Sequence, residues 1–145
     1  MARMTLDFPE AMVIHRHSLS VRITDMNYGR HLGHDALVSL LAEARACALA
    51  SLAFPEWDLA GYPSVVADLA VTYQQEARFP DQLTVETAIP DPDGKALVVH
   101  HRLRNAQGAT VATARVTLLL VDLDTRRPVA VPSDFTRALA RARGE

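Results

Sequence analysis

Residues 36–53, ALVSLLAEARACALASLA, place apolar side chains on nearly every side of a helical wheel. Ser39, Glu43, Arg45 and Ser51 are the polar positions of the run, and they do not combine into a wide wet face. The stretch lacks Gly and Pro, is rich in strong helix formers and stops just before Pro55. That pattern predicts a helix of about 27 Å at 1.5 Å per residue. A helix apolar almost all round needs lipid or protein around it. Glu43 and Arg45 lie mid-span, where a bilayer would charge about 2.5–3.5 kcal/mol for each. The expectation is therefore a helix wrapped by protein, with no membrane partner.

Further along, the apolar period falls to two. Strands are predicted at 64–78 (SVVADLAVTYQQEAR), 82–89 (QLTVETAI), 96–104 (ALVVHHRLR) and 110–123 (TVATARVTLLLVDL). In the second of these, Leu83, Val85, Thr87 and Ile89 share one face. The connections Pro90-Asp91-Pro92-Asp93-Gly94 and Asn105-Ala106-Gln107-Gly108 read as hairpin loops, so the strands they join should be antiparallel neighbours. With a strand at about 13–24 the order becomes β-α-β-β-β-β. Ser133 is placed to cap a short terminal helix at about 133–143 with its arginines on a solvated side. The fold class is α+β, one long helix lying in a curved antiparallel sheet. Such a sheet leaves an edge to manage, which favours self-association.

Composition narrows the function. A chain of 145 residues with 15 Lys+Arg against 17 Asp+Glu suits a single domain, taken as 1–145, with no basic excess for nucleic acid. The lone Cys47 makes no internal disulfide and reads as a small buried hydrophobe, and zinc-type Cys/His spacing is absent. The N-terminal MARMTLDFPE has no apolar secretory core, so a cytoplasmic location is expected.

Candidate chemistry concentrates in residues 21–37, VRITDMNYGRHLGHDAL, between the first strand and the helix. Asp25, Asn27, His31, His34 and Asp35 gather with Gly29 and Gly33 where a helix begins. Unpaired N–H groups at a helix N-terminus attract an oxygen that is becoming negative, and the glycines allow close approach of a ligand. Asp25 and Asn27, two apart, point the same way if that stretch is extended. Capping and turn formation explain the same residues equally well: Asp25 and Asn27 suit turns, and His34-Asp35 suits a first helical turn.

The strings D-M-N-Y-G-R-H-L-G-H and E-A-R-A, followed by VVADLAVTYQQEARFPDQLTVET, resemble hotdog-fold thioesterases of the 4-hydroxybenzoyl-CoA thioesterase type. Phe79-Pro80-Asp81-Gln82-Leu83 matches the bend that such proteins carry before the next strand, and the resemblance spans roughly residues 15–122. It implies a sheet wrapped round a central helix and a homo-oligomer, dimer or tetramer, with a continuous sheet. It also implies hydrolysis of an acyl-CoA or acyl-carrier-protein thioester at the subunit interface, with no metal and no cofactor besides the CoA of the substrate.

One position departs from that pattern. Where the family usually has its catalytic carboxylate this chain has Asn27, which cannot take a proton from water. Three readings follow: Asp25 replaces the missing base, His31 is the base with Asn27 orienting water or thioester, or the protein binds acyl-CoA and hydrolyses it poorly. Tyr28, Gly29, Arg30, Gly33, His34 and Tyr73 are the substrate-binding candidates. The acyl carbonyl oxygen would sit at N–H groups of the Gly29–Gly33 loop and the helix start. Arg30, Arg78, Arg102 and Arg104 suit CoA phosphates by type, and Glu43 more readily pairs with a partner near the dimer seam than does chemistry. His100 and His101 alternate faces, so they do not make a metal site together. A non-catalytic acyl-CoA binder and an enoyl-CoA hydratase or dehydratase are the competing functions.

Overall fold

Residues 4–145 are described by a computed structural model. The long helix, α1, runs over His34–Ser51. It begins two residues before the apolar run because polar His34 and Asp35 form its first turn, where an acid suits the helix dipole. It ends as the N–H groups of Leu52, Ala53 and Phe54 fold back onto Leu49 and Ala50, with Ala53 at φ 66° and Pro55 beyond. Leu37, Leu40, Leu41, Ala44, Ala48 and Leu49 are buried against the sheet, each leucine contributing about 1.5–3 kcal/mol. Ser39, Glu43, Ala46 and Ala50 are exposed, and Val38 and Ala42 are half-buried. One chain therefore covers one side of α1 and does not wrap it.

The strands are β1 (Val13–Ser20), β2 (Ser64–Tyr73), β3 (Gln82–Ala88), β4 (Ala96–Asn105), β5 (Thr110–Val121) and the two-residue β6 (Pro128–Val129). They form one antiparallel sheet in the order β1-β3-β4-β5-β2, with β6 on β5. The β3–β4 and β4–β5 hairpins fall where the turn residues predict them. Register shifts in β1, β2 and β4 bend the sheet around α1, which gives the hotdog architecture. Two strands are shorter than their patterns. β1 stops at Ser20, where Val21 N–H donates to Asp81 O and Ile23–Asp25 winds into a single 3-10 turn. β2 stops at Tyr73, since Gln74 and Gln75 N–H both donate to Val111 O and the chain then leaves the ladder.

The face of the sheet toward α1 is layered. Leu83, Val85, Leu103 and Ala112 form one apolar cluster with Leu37 and Leu41 of α1. Leu97, Val99, Val116 and Leu118 form a second with Leu49 and with Phe135 and Leu139 of the terminal helix α2 (Ser133–Ala142). Between them the register sets a row His15–Thr87–His101–Ala114 across four strands. His101 is fully buried and shares a 3.0 Å hydrogen bond with Thr87 Oγ1. Burial, reinforced by the Arg45 guanidinium, pushes its imidazole down to about 3, so it is neutral inside the core.

The opposite face is polar and strapped. Buried Glu86 accepts a hydrogen bond from Arg102 Nε at 2.9 Å and forms an ion pair with Arg104, whose Nε lies 3.2 Å away without a hydrogen bond. Glu10 accepts from Arg102 Nη1 at 2.6 Å, and the Phe8 ring centre lies 4.4 Å from the Arg102 guanidinium. The segment before β1 is thereby tied across the sheet. In α2, Pro132 and not Ser133 occupies the capping position, and no side chain caps the turn. Arg137 and Arg141 face solvent as expected, but the side chain of Arg143 is tucked away from solvent, bonded to Ile89 O and Asp91. Among the described residues no helix is long and apolar enough to cross a membrane.

The outer strand β2 differs from the rest. Val66 and Leu69 point toward the α1 side, yet Val66 is 51% and Leu69 41% exposed, since α1 leans toward β1 and β3. A slot lined by Val38, Leu41, Ala42, Arg45, Val66, Leu69 and Val116 lies between α1 and this strand.

Candidate active site

The segment from Arg22 to Gly33 is held in shape by its own polar groups. Asp25 lies at the end of the 3-10 turn with its carboxylate buried, accepting Arg22 N–H at 2.8 Å, Nη2 at 3.1 Å and Nε at 3.3 Å. The Arg22 side chain, ahead of the opposing effect of burial, holds this carboxyl below the usual range. Asn27 Oδ1 accepts Gly29 N–H at 2.9 Å and His31 N–H at 3.2 Å, closing an Asx-type turn that Arg30 completes at φ 64°. Leu32 N–H then donates to Ala77 O at 2.7 Å and Gly33 N–H to Asp25 O at 3.0 Å. A Cβ on Gly33 would come within 2.6 Å of Asp35 Oδ1, so close packing explains this glycine.

The Leu32–Ala77 bond joins the loop to the residues that follow β2, and a cavity of about 370 Å³ opens at the junction. Its polar lining is Asn27, His31, His34, Tyr73, Gln74, Gln75 and Glu76, and its apolar lining is Leu32, Leu37, Ala77 and Val111. Inside it, His31 Nε2 lies 2.9 Å from Glu76 Oε2, with the imidazole 32% and the carboxylate 68% exposed. An Nε2–H donated to the carboxylate leaves the Nδ1 lone pair available, the arrangement by which a carboxylate orients an imidazole base. Partial burial raises the Tyr73 hydroxyl above its ordinary range.

Donors for a developing oxyanion are found at the start of α1. The N–H groups of Gly29, Arg30, His31, Leu32 and Gly33 are all occupied, so the loop does not supply them. His34, Asp35 and Ala36, at the uncapped start of α1, have no acceptor among the described residues, and the first intrahelical bond is Leu37 N–H to Gly33 O. The helix start therefore keeps the role that the loop loses.

The candidates from the sequence divide accordingly. Asn27, His31, His34 and Tyr73 line the cavity together. Asp25, Tyr28, Gly29, Arg30 and Gly33 do not line it; Tyr28 points fully into solvent and Asp25 is occupied by Arg22. Arg102 and Arg104 are engaged on the far face of the sheet, which leaves Arg30 and Arg78, beside lining residues His31 and Ala77, as the cations near the mouth. Glu43 pairs with His17 of β1 at 2.7 Å, at the edge of the sheet opposite β2. Glu76 and the glutamines before it escaped the sequence reading because QQEAR looked like the tail of a strand. Among the described residues no cluster of three or more His, Cys, Asp or Glu side chains is arranged to hold a metal ion.

Comparison with known proteins bears on the family and the fold. The family model described as "Thioesterase-like superfamily" matches residues 21–139. A protein of Agrobacterium fabrum named L-carnitine dehydrogenase/betainyl-CoA thioesterase is 30% identical over 115 residues, 79% of this chain. The chain spans about a quarter of that relative, 24% of its length. A DHNA-CoA thioesterase structure from Staphylococcus aureus superposes with a TM-score of 0.77 at 20% identity, covering 89% of this chain and 90% of that one. The 4-hydroxybenzoyl-CoA thioesterase of Pseudomonas sp. strain CBS-3 gives 0.76 at 18% identity, covering 86% and 97%. At these identities the structural likeness is one of fold.

Proposed function

The chain belongs to the thioesterase-like superfamily, and on that premise we propose that it hydrolyses an acyl-CoA thioester with His31 as general base. The observation that carries this reading is the 2.9 Å contact between His31 Nε2 and Glu76 Oε2 inside a cavity at the uncapped start of α1.

In this mechanism the thioester carbonyl oxygen faces the N–H groups of His34, Asp35 and Ala36, which stabilise the negative charge of the tetrahedral intermediate. Nδ1 of His31 takes a proton from water as the water oxygen bonds to the carbonyl carbon, and Glu76 holds the imidazolium that forms. Collapse of the intermediate expels CoA thiolate, a fair leaving group without an acid because thiols ionise near 8.5. Asn27 shapes the turn that presents His31, and its amide nitrogen remains available to orient water. Asp25 is assigned to the structure of the turn and not to the base, since its oxygens are engaged by Arg22. Arg30 and Arg78 suit the CoA phosphates.

The reading includes a homodimer. A second copy adding its β2 to this β2 would cover Val66 and Leu69 and the open side of α1, and would bring a further wall to the cavity. Betainyl-CoA, for which the Agrobacterium relative is named, belongs on the first substrate panel with aliphatic and aromatic acyl-CoAs. Thiol release followed with a chromogenic disulfide is the test. Turnover above the uncatalysed rate for at least one acyl-CoA, abolished in His31→Ala, is expected. Tight binding of a non-hydrolysable analogue without turnover of any substrate would leave a binding protein in its place.

A further inference from the structure

We propose that the cavity selects acyl groups that carry a positive charge, with Glu76 as the specificity-determining residue and the Tyr73 ring beside it. This deepens the thioesterase reading and rests on it. A general base has to be neutral to accept a proton, and among the described residues that line the cavity Glu76 is the only Asp, Glu, Lys or Arg. Arg22, Arg30 and Arg78, all nearby in sequence, are absent from that lining. Glu76 Oε2 is taken by His31, while Oε1 has no hydrogen-bond partner among the described residues and can face an incoming cation.

Chemistry excludes the other acyl classes by degrees. An acyl carboxylate would meet Glu76 as a like charge. An aliphatic chain would gain from the apolar wall of Leu32, Leu37, Ala77 and Val111 but would leave the Glu76 charge unmatched. A compact ammonium, quaternary or protonated, gains from the carboxylate and from the Tyr73 face, and asks no donor of the amides. A volume of about 370 Å³ accommodates such a group, with the thioester at the start of α1.

The test compares two acyl-CoAs of the same shape, trimethylammonioacetyl-CoA and 3,3-dimethylbutanoyl-CoA, which differ by a nitrogen for a carbon and one charge. The cation also activates its own carbonyl, so each kcat/KM is divided by the rate constant for hydroxide hydrolysis of the same thioester. The corrected ratio is expected to favour the cationic substrate at least tenfold at low ionic strength and to shrink with added salt. Glu76→Gln slows both substrates, because Glu76 also holds His31, but it should collapse the ratio toward one, with Glu76→Asp restoring part of it. Affinities of non-hydrolysable thioether analogues of the pair, measured by calorimetry, read the same selection without turnover. Equal affinities, or a ratio that survives Glu76→Gln in a folded protein, overturn the inference. A tighter cationic analogue with no turnover of either substrate supports the inference and overturns the hydrolase reading.

Discussion

His31 and Glu76 sit in different halves of the site yet meet at 2.9 Å, because their next neighbours, Leu32 and Ala77, are joined by a 2.7 Å backbone hydrogen bond. The backbone bond thus sets the spacing of the two residues, and their side chains close the remaining distance. Such placement is what a base needs if its proton acceptor is to be aimed at one water.

Replacing His31 by Gln should lower kcat by about 10²–10⁴, the usual contribution of a general base. Single-turnover rates of the native protein and the folded variant, measured side by side, check it; a variant with native kcat would assign the base elsewhere.

Asn27 has a separable role. Its Oδ1 serves Gly29 and His31 N–H groups, so Asn27→Ala removes the acceptor that closes the turn and should loosen the loop, cutting kcat/KM by about tenfold or more. Asn27→Asp retains that oxygen and should keep or raise activity. Steady-state kinetics of the two variants beside circular dichroism separates the effects.

Asp25→Asn tests the turn against the base. The folded carboxyl is depressed by Arg22, so its contribution to stability is present above the unfolded range near 3.9 and is lost as pH falls through the folded value. With Arg22 largely exposed, solvent screening keeps that contribution small. Urea unfolding at pH 7 should show the variant weaker, with the gap closing in acid, while turnover by the folded enzyme stays near native.

Local periodicity made the long helix and the strands legible, since each is decided by residues a few positions apart. Turn residues gave the hairpins by the same token. What distance in sequence conceals is partnership. A lone Asp25 reads equally as base or brace until the Arg22 side chain is seen folded back on it. Glu76 reads as the tail of a strand until Gln74 and Gln75 are seen sharing Val111 O and leaving the ladder. The greasy helix implied a cover, but a single chain supplies half of it, and hydropathy cannot say how many chains share the work.

His101 predicts an acid sensitivity in the core. Its folded value near 3 lies below the unfolded imidazole near 6.5, so between the two the unfolded chain binds the extra proton. Stability should therefore be full above about 6.5 and fall as pH drops toward 3, by at most about 1.4 kcal/mol per pH unit from this group. The paired change Thr87→Val with His101→Leu removes both ends of one buried hydrogen bond and should flatten that slope. Unfolding midpoints from pH 7 to pH 4 in the two proteins measure it.

The exposed edge supplies the last test. Val66 and Leu69 lie on β2 facing the open side of α1, next to half-buried Val38 and Ala42, an apolar surface that a monomer would leave wet. Val66 pairs through its backbone with Leu118, so a side-chain change there leaves the ladder of the single chain intact. Val66→Glu would bring like charges together across a two-fold β2–β2 seam and bury them without partners, at a cost a dimer cannot easily absorb. Sedimentation should show the native protein as a dimer and the variant as a folded monomer. Tyr73 is on the same strand and lines the cavity, so losing the partner should also lower kcat/KM by at least tenfold. A monomeric variant with native turnover would mean that one chain holds the whole site, and a native protein that sediments as a monomer would remove the seam altogether.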